Sequence, residues 1–370
     1  MGESLDRPRI VVSAVNLFEG GPLSILRDCL RGALVECGSH YEIVALVHSK
    51  TIVGVPGICY IELPHSRRSW LHRLYYEYVR FRGISGELRP FLWLSLHDIT
   101  PNVAAERRAV YCHNPAPFFR LRLRHVILDP RFAMFVLFYS WLYRINIRQN
   151  SHVIVQQEWM ARKFRENFGL SQVLVARPTV PGNEGSSAIC GTPSHSFVFP
   201  TFPRVFKNVE VLGEAAKLLL AEGGCDAEFL VTFDGGENRY ARSIRQRYGS
   251  LPNFRLIGPL SRLEVFALYS RAVALVFPSL LETWGLPLTE FQVFQRPILA
   301  ADLPYARETL GDFPYAKFFP AEDPRALARL VREVLQGTIA FDPSTGTLPV
   351  NGIEGWPELF RKLLAKRVPA

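Results

Sequence analysis

Residues 274–290 read ALVFPSLLETWGLPLTE, and this segment is the most informative in the chain. Its first four residues have the apolar character of a buried strand, and Pro287 suits the first turn of a helix. A short loop is therefore expected to join a strand to a helix here. The backbone amides around Gly285 and Leu286 would point out of the helix N-terminus, where free N–H groups and the helix dipole favour a bound phosphate.

Two glutamates occupy this segment, Glu282 in the loop and Glu290 one turn into the predicted helix. A carboxylate at position 290 can accept hydrogen bonds from both ribose hydroxyls of a nucleotide, as an acidic residue does in dinucleotide-binding folds. Glu282 is expected to reach the hydroxyl groups of a sugar. The residues alone leave an alternative open, in which Glu290 only complements the helix dipole and Glu282 is a solvated loop residue.

The rest of the chain alternates between short apolar runs and helix-like segments, which predicts an α/β protein with parallel sheets. Its 370 residues exceed what a single hydrophobic core usually supports. A connection rich in Pro, Gly, Ser and Thr, at residues 178–196, indicates a change of domain. The prediction is one Rossmann-like domain over residues 1–185, a second over residues 186–350, and a helix within residues 351–370 that packs back on the first domain.

The order of motifs around the two glutamates resembles glycosyltransferase family 4, a family of group 1 enzymes with a Glu-x7-Glu signature. The other segments that match the family's order are NFRLIG at 253–258, PS at 278–279, PILA at 297–300 and ETLGD at 308–312. The resemblance implies a retaining sugar transferase of the bacterial surface-polysaccharide type. It also implies the GT-B fold, in which an acceptor-side N-terminal domain and a nucleotide-sugar-binding C-terminal domain face each other across a cleft.

The same resemblance implies roles for residues of the C-terminal domain. The sequence PRVFKN at 203–208 is similar to the family's basic loop, so Arg204 and Lys207 would neutralise the donor diphosphate as it leaves. Glu282 would orient the sugar, and with Lys207 it forms the catalytic part of this domain. No metal ion or other cofactor is then required. The implied donor-binding residues are Arg204, Lys207, Gly285, Leu286 and Glu290, together with Gly20 and Gly21 of the N-terminal domain.

The resemblance implies three further site positions in the N-terminal domain, and the end of another strand adds two more. Gly20 and Gly21 follow the first strand and resemble a glycine loop that lets the backbone approach the donor phosphates, although paired glycines are also common in turns. His113, in YCHNP, resembles the family's histidine near the donor sugar and acceptor, and is the catalytic candidate of this domain. The alternative is a hydrogen-bonded scaffold histidine. His97 and Asp98 end another strand and are expected to meet the acceptor.

Composition narrows the compartment and the class of partner. Lys and Arg number 43 against 34 for Asp and Glu, and the formal charge of +9 favours anionic partners. The six cysteines form no CxxC pair, which argues against a zinc site and predicts core thiols in a reducing compartment. The N-terminus lacks a secretory-signal pattern, and the longest apolar run, residues 134–142, falls short of the roughly 20 residues of a membrane span. A cytoplasmic chain is expected.

Two segments combine arginines with aromatic residues, residues 70–82 (WLHRLYYEYVRFR) and residues 118–149. Such segments can lie on an anionic bilayer, which would make the protein peripheral on the inner face of a membrane. The other interpretation is a pair of core helices with snorkelling arginines on one side. The sequence leaves both interpretations open.

The expected function is transfer of a hexose from a nucleoside diphosphate (NDP) sugar to a saccharide or lipid-linked saccharide acceptor, with net retention, in polysaccharide or glycolipid biosynthesis. A nucleotide-sugar epimerase or a phosphorylase of the same fold is an alternative enzyme, since a fold does not fix a function. A non-catalytic protein that binds anions or membranes is an alternative of another class. The sequence has no recognisable nucleic-acid-binding motif, so nucleic acid is not an expected partner.

Overall fold

A computed structural model describes residues 7–177, 194–223, 226–342 and 352–365 of the chain. The chain forms two compact units. The first contains residues 1–117, 138–179 and 351–370, and the second contains residues 118–137 and 180–350. Residues 118–137 thus group with the second unit, whereas the sequence analysis placed them in an N-terminal domain of residues 1–185. That proposed boundary itself lies outside the described residues.

The first unit is built on an eight-stranded sheet in which every described pairing is parallel. Its strands are β1 (Arg9–Ser13), β2 (Glu42–Val47), β3 (Cys59–Glu62), β4 (Leu92–Ser95), β5 (Arg107–Cys112), β6 (His152–Val155), β7 (Val173–Arg177) and β14 (Ile353–Glu354). The order across the sheet is β14-β7-β6-β5-β4-β1-β2-β3. The order reverses between β1 and β4, and ligands of open α/β sheets gather at the carboxyl ends of strands beside such a reversal.

Helices cover both faces of this sheet. They are α1 (Gly20–Cys37), α2 (Lys50–Val53), α3 (Trp70–Tyr75), α4 (Phe81–Leu88), the last part of α6 (Pro130–Leu142), α7 (Glu158–Phe168) and α14 (Gly355–Leu364). A π-helical turn, Tyr76–Arg80, joins α3 to α4. One core lies between the sheet, α1 and α14, and a smaller core around Phe81 and Trp93 lies on the other face. The arrangement requires nearly continuous apolar strands, as parallel sheets covered on both faces have.

The second unit contains a six-stranded parallel sheet in the order β10-β9-β8-β11-β12-β13. Its strands are β8 (Ser196–Phe199), β9 (Glu228–Val231), β10 (Phe254–Leu256), β11 (Ala274–Phe277), β12 (Ile298–Ala301) and β13 (Ala316–Phe319). Its helices are α5 (Leu123–Leu128), the first part of α6, α8 (Val209–Glu222), α9 (Arg239–Tyr248), α10 (Arg262–Arg271), α11 (Leu286–Gln292), α12 (Pro304–Leu310) and α13 (Pro324–Gln336). The strand order reverses between β8 and β11.

Helix ends in the second unit follow from local chemistry. The Asp323 side chain accepts hydrogen bonds from the amides of Arg325 and Ala326 and caps α13, while Gly337, at φ 67°, ends it in the left-handed region. At α10, the Ser261 hydroxyl and the Glu264 carboxylate bind each other's backbone amides in a capping box.

The cysteines are only partly as expected. Cys29, Cys37 and Cys112 are buried thiols, whereas Cys59 is exposed, so the prediction of a core thiol is wrong there. Cys59 lies on β3, the edge strand of its sheet, where side chains are less covered than at its centre. Cys190 and Cys225 lie outside the described residues. Among the described helices, none is both long and apolar enough to cross a bilayer.

Candidate functional site

Lys207 and Glu282 meet where the strand order of the second sheet reverses. Lys207 ends a 3-10 turn that follows β8, and Glu282 lies in the loop after β11. The Lys207 Nζ and Glu282 Oε1 atoms are 2.5 Å apart, and both side chains are partly buried. The ammonium also lies 5.4 Å from the ring centre of Phe206 and 5.9 Å from that of Phe277. A cation and an anion are therefore held together at the carboxyl ends of adjacent parallel strands.

Asn208 holds the loops that carry this pair. It has a left-handed backbone with φ 53°, which asparagine tolerates better than most residues, and its side chain is buried. Its amide nitrogen Nδ2 donates to the carbonyl oxygens of Pro278, at 3.2 Å, and Ala321, at 2.7 Å. The backbone amide of Leu280 donates to the Phe206 carbonyl at 2.7 Å. The loops after β8, β11 and β13 are thus tied to one another, a feature that no motif in the sequence indicated.

Gly285 precedes the first residue of α11, as the sequence predicted. Its φ of 80° is left-handed, and an added Cβ would lie 3.2 Å from Leu288 Cδ1 and 3.3 Å from Phe277 Cε1, so glycine suits the position in two ways. The side chain of Leu286, at the helix start, is exposed. Trp284 is buried, and its indole N–H donates to Thr289 Oγ1 at 2.9 Å, which fixes the loop against the helix.

Glu290 lies one turn into α11 and is partly buried. The Tyr269 hydroxyl donates to its Oε2 atom at 3.4 Å, and Arg262 Nη2 is 3.6 Å from Oε1. Burial raises the pKa of this carboxyl, while Arg262 and the Tyr269 hydrogen bond oppose the rise. The two glutamates therefore differ: Glu282 is paired with a close cation, whereas Glu290 has only long contacts and an acidity weakened by its surroundings.

Arg204 contacts a different carboxylate from Lys207, although only three positions separate them. Its guanidinium Nη1 is 3.2 Å from Asp129 Oδ2, and it lies 5.8 Å from the ring centre of Phe132. Both partners come from residues 118–137, the segment that groups with the second unit. The basic loop therefore sends one cation towards Glu282 and the other towards Asp129, and Asp129 was not among the expected site residues.

Gly20 and Gly21 form the first turn of α1 after β1, where the sequence suggested a separate turn before the helix. Gly20 has φ 58°, which explains glycine there. A Cβ added at either glycine would meet no atom within 4 Å. The backbone at the start of α1 is therefore open on the side where a side chain would project.

His113 follows β5 in the first unit and is partly buried. Its backbone amide donates to Asp98 Oδ1 at 2.7 Å, and the amide of Asn114 donates to the same oxygen at 2.9 Å. The His113 Nδ1 atom lies 3.6 Å from that oxygen. The Tyr143 hydroxyl donates to the Asn114 carbonyl at 2.9 Å. Asp98, itself at φ 72°, therefore fixes the loop that carries His113.

His97 and Asp98 do not present their side chains to solvent, which corrects the expectation that they meet the acceptor. Both are buried. The His97 Nδ1 atom lies 2.9 Å from Glu77 Oε1, and the His97 carbonyl accepts a hydrogen bond from Arg73 Nη2 at 2.9 Å. Glu77 and Arg73 are also buried. The turn after β4 therefore packs inside the unit.

In the part of the chain that the structure describes, no group of three or more His, Cys, Asp or Glu side chains is arranged to hold a metal ion. The cations at the second unit's strand reversal are the Lys207 ammonium and the Arg204 guanidinium, each beside a carboxylate. These are the groups of this region that can attract an anion.

Comparison with known proteins agrees with this geometry. Residues 193–341 match the family model described as Glycosyl transferases group 1. The matched range includes Arg204, Lys207, Glu282 and Glu290, and extends from the start of the second sheet to just beyond α13. No curated protein sequence matches the chain.

Several solved structures share the fold. WaaG, a glycosyltransferase involved in lipopolysaccharide biosynthesis, superimposes with a TM-score of 0.62 at 14% identity, over 88% of this chain and 90% of WaaG. A sucrose-phosphate synthase from Thermosynechococcus elongatus gives 0.59 at 14% identity, over 90% of each chain. HepE from Anabaena, solved in complex with UDP, gives 0.55 at 13% identity, over 89% of this chain and 90% of HepE. The chain therefore has the GT-B fold, and its residues 193–341 are similar to the group 1 glycosyltransferases.

Proposed function

We propose that the protein transfers a hexose from an NDP-sugar to a saccharide or lipid-linked saccharide acceptor, with retention of the anomeric configuration. The observation that carries this proposal is the Lys207–Glu282 ion pair at the strand reversal of a group 1 glycosyltransferase domain, with Glu290 on the helix that follows. The crystal complexes of HepE with UDP and with UDP-glucose support a nucleotide sugar as the donor.

In this proposal the donor diphosphate binds beside Lys207. The leaving diphosphate gains negative charge as its bond to the sugar breaks, and a preorganised ammonium stabilises that charge. Arg204 adds a second cation once it turns from Asp129, and the amides of Gly285 and Leu286 face the phosphates. With these groups the reaction needs no metal ion. Glu282 is then available to accept hydrogen bonds from hydroxyls of the donor sugar.

Glu290 is proposed to bind the ribose. Its two carboxylate oxygens have long contacts, at 3.4 and 3.6 Å. Short hydrogen bonds from two ribose hydroxyls would stabilise the carboxylate more than these contacts do. The open backbone at Gly20 and Gly21 is proposed to approach the diphosphate from the first unit. His113 is proposed to contact the reacting sugars.

The chemical step we favour is a front-face displacement. The bond from the anomeric carbon to the diphosphate oxygen breaks, and the acceptor oxygen forms a bond to the same face of that carbon. The acceptor hydroxyl proton passes to the departing diphosphate. This route retains configuration without a protein nucleophile. It fits bacterial polysaccharide or glycolipid assembly, and a lipid-linked acceptor would bring the protein to the cytoplasmic face of a membrane.

The proposal is tested first by ligand binding and then by product analysis. A ligand that binds only the folded state raises the melting temperature, so UDP-, GDP- and dTDP-hexoses are screened by thermal shift. We expect one nucleotide to stand out. The configuration of the product formed from that donor is then read by NMR. Conversion of the donor sugar without an acceptor would instead indicate an epimerase, and a bound pyridoxal phosphate absorbance would indicate a phosphorylase.

A further inference from the structure

The helical segment from α3 into the π-helical turn has its polarity inverted. A helix on the surface of a protein normally turns apolar residues inward and charged residues outward. Here the charged Arg73 and Glu77 are buried, while Trp70, Leu71 and Tyr75 are exposed, Leu71 to 77%. The interpretation of residues 70–82 as a core helix with outward arginines therefore does not apply to this face.

The buried Arg73 and Glu77 side chains lie close to polar groups of the same unit. Arg73 Nη1 donates to the Tyr139 hydroxyl at 2.8 Å, and Arg73 Nη2 donates to the His97 carbonyl at 2.9 Å. Glu77 Oε1 lies 2.9 Å from His97 Nδ1. The segment cannot simply rotate to hide its apolar side chains, because rotation would break these buried contacts and leave polar groups without partners.

The exposed side chains of α3 continue onto the end of α6. The Trp70 ring packs edge-to-face against Phe138, with centroids 5.4 Å apart, and Phe138 lies 6.2 Å from Trp141. Trp141 is 56% exposed. We call Trp70, Leu71, Tyr75, Phe138 and Trp141 the aromatic surface. Exposed apolar side chains that cluster on a folded unit mark interaction sites.

The exposed charges along the two segments that carry the aromatic surface have one sign. Between residues 64 and 82 the one acidic residue is the buried Glu77, and residues 130–144 contain none. The exposed residues along these two segments include the basic side chains of Arg67, Arg68, His72, Arg80, Arg82, Arg131 and Arg144. An apolar face bordered by cations is suited to the interface of an anionic bilayer, where aromatic rings sit at the level of the headgroups and arginines meet lipid phosphates.

We propose that the aromatic surface docks the protein on an anionic membrane. A second copy of the chain fits it less well, because a symmetric contact would bring two cationic borders together. The membrane would be a partner of the proposed transferase, because docking would keep the protein close to a lipid-linked acceptor. Only this purpose of docking rests on the proposed function. Binding itself needs no donor and is measured without one.

The test uses the whole 370-residue chain and vesicles in co-sedimentation at low salt. We expect binding to phosphatidylglycerol/phosphatidylcholine vesicles and little binding to phosphatidylcholine alone. Leu71→Ser/Trp141→Ser, on two exposed positions, should abolish most of the binding. Arg68→Gln/Arg144→Gln should weaken it by about thirtyfold, from about 1 kcal/mol per arginine. Val35→Ser, on an 80% exposed position of α1, is the matched control and should bind like the wild type.

The proposal is overturned if the wild type does not sediment with anionic vesicles, or if Leu71→Ser/Trp141→Ser binds them as well as Val35→Ser does. It is also overturned if the wild type is a dimer in solution that the Leu71→Ser/Trp141→Ser change dissociates, which would assign the surface to a second copy. Nucleotide binding by the same preparations, measured by thermal shift, reports separately on the transferase site.

Discussion

Lys207 and Glu282 are 75 positions apart in the sequence, yet their side chains form a 2.5 Å ion pair. The pairing follows from topology, because the two residues follow β8 and β11, which are neighbouring parallel strands. In parallel strands the carboxyl ends share one edge of the sheet, so the loops that leave them meet there. The pair would have to open or rearrange when a diphosphate competes for the ammonium.

Lys207→Ala should weaken binding of a nucleoside diphosphate much more than binding of the corresponding monophosphate. The lost contact is a charge-assisted one to the diphosphate, and such contacts contribute about 1.5–3 kcal/mol, which corresponds to roughly 10- to 100-fold in affinity. Isothermal titration with both nucleotides measures the difference. Lys217→Ala, at an exposed lysine of α8, is the control and should leave both affinities unchanged. Equal losses of affinity for the two nucleotides would show that Lys207 does not contact the diphosphate.

Asn208→Ala should destabilise the second unit more than Asn208→Gly. Both changes leave the Pro278 and Ala321 carbonyls without their donor, at a cost of about 1–3 kcal/mol. Alanine adds the strain of a left-handed backbone, about 1–2 kcal/mol, which glycine avoids. Urea unfolding measures both variants. If alanine and glycine are equally stable, the left-handed backbone is not what selects asparagine here.

Glu290 should make the free energy of unfolding decrease as pH rises from mildly acidic values. Burial raises its pKa above the ordinary value of 4.5, so the native state keeps this proton after the unfolded chain has lost it. The stabilisation is complete below the pKa that Glu290 has in the unfolded chain. It is lost as pH rises through the pKa that Glu290 has in the folded protein. Glu290→Gln should remove this loss of stability. The measurement is the free energy of unfolding in urea, compared between the wild type and the variant from below the unfolded pKa to above the folded pKa.

Nucleotide affinity should change in the opposite direction in the same window. The charged carboxylate accepts ribose hydroxyls better than the protonated acid does, so affinity should rise with pH as Glu290 ionises. Glu290→Gln should bind more weakly and lose this component of the pH dependence. An identical pH profile in wild type and Glu290→Gln would mean that position 290 does not meet the nucleotide.

Asp98→Ala should destabilise the first unit by about 2 kcal/mol or more, because it leaves the amides of His113 and Asn114 without their acceptor. Asp98→Asn keeps an oxygen in place and tolerates the left-handed φ of 72°, so it should cost less than the alanine variant. Thermal or urea unfolding checks the order. Wild-type stability in Asp98→Ala would show that the loop does not depend on this carboxylate.

The fold was largely accessible from the sequence because its signals are local. Short apolar runs predicted the parallel sheets, and α11 begins at the predicted place because Gly285 and Pro287 act on their own backbone. The ends of α13 at Asp323 and Gly337 have the same local origin. Short or amphipathic pieces, such as β14 at Ile353–Glu354, escaped prediction because two residues carry no period.

The site was accessible only in part, because its remaining contacts join distant segments. The Glu282 and Lys207 positions came from motif resemblance, whereas the Arg204–Asp129 pair depends on residues 118–137 grouping with the second unit, which no local pattern encodes. His97 and Asp98 were expected at a ligand because they follow a strand. The structure buries them, since neighbouring Arg73 and Glu77 point inward and need polar partners.

Sugar transfer at the Lys207–Glu282 site is measured as release of nucleoside diphosphate from radiolabelled UDP-, GDP- and dTDP-hexoses by the 370-residue chain. We expect the wild type and the control Lys217→Ala to cleave one of these donors at the same rate. Lys207→Ala should lower that rate by about 100-fold or more, the usual effect of removing one preorganised contact to a developing charge. Glu282→Ala should lower it by about 100-fold because the donor sugar loses a group that orients it. Cleavage at equal rates by all four proteins, or by none of them, would contradict the account.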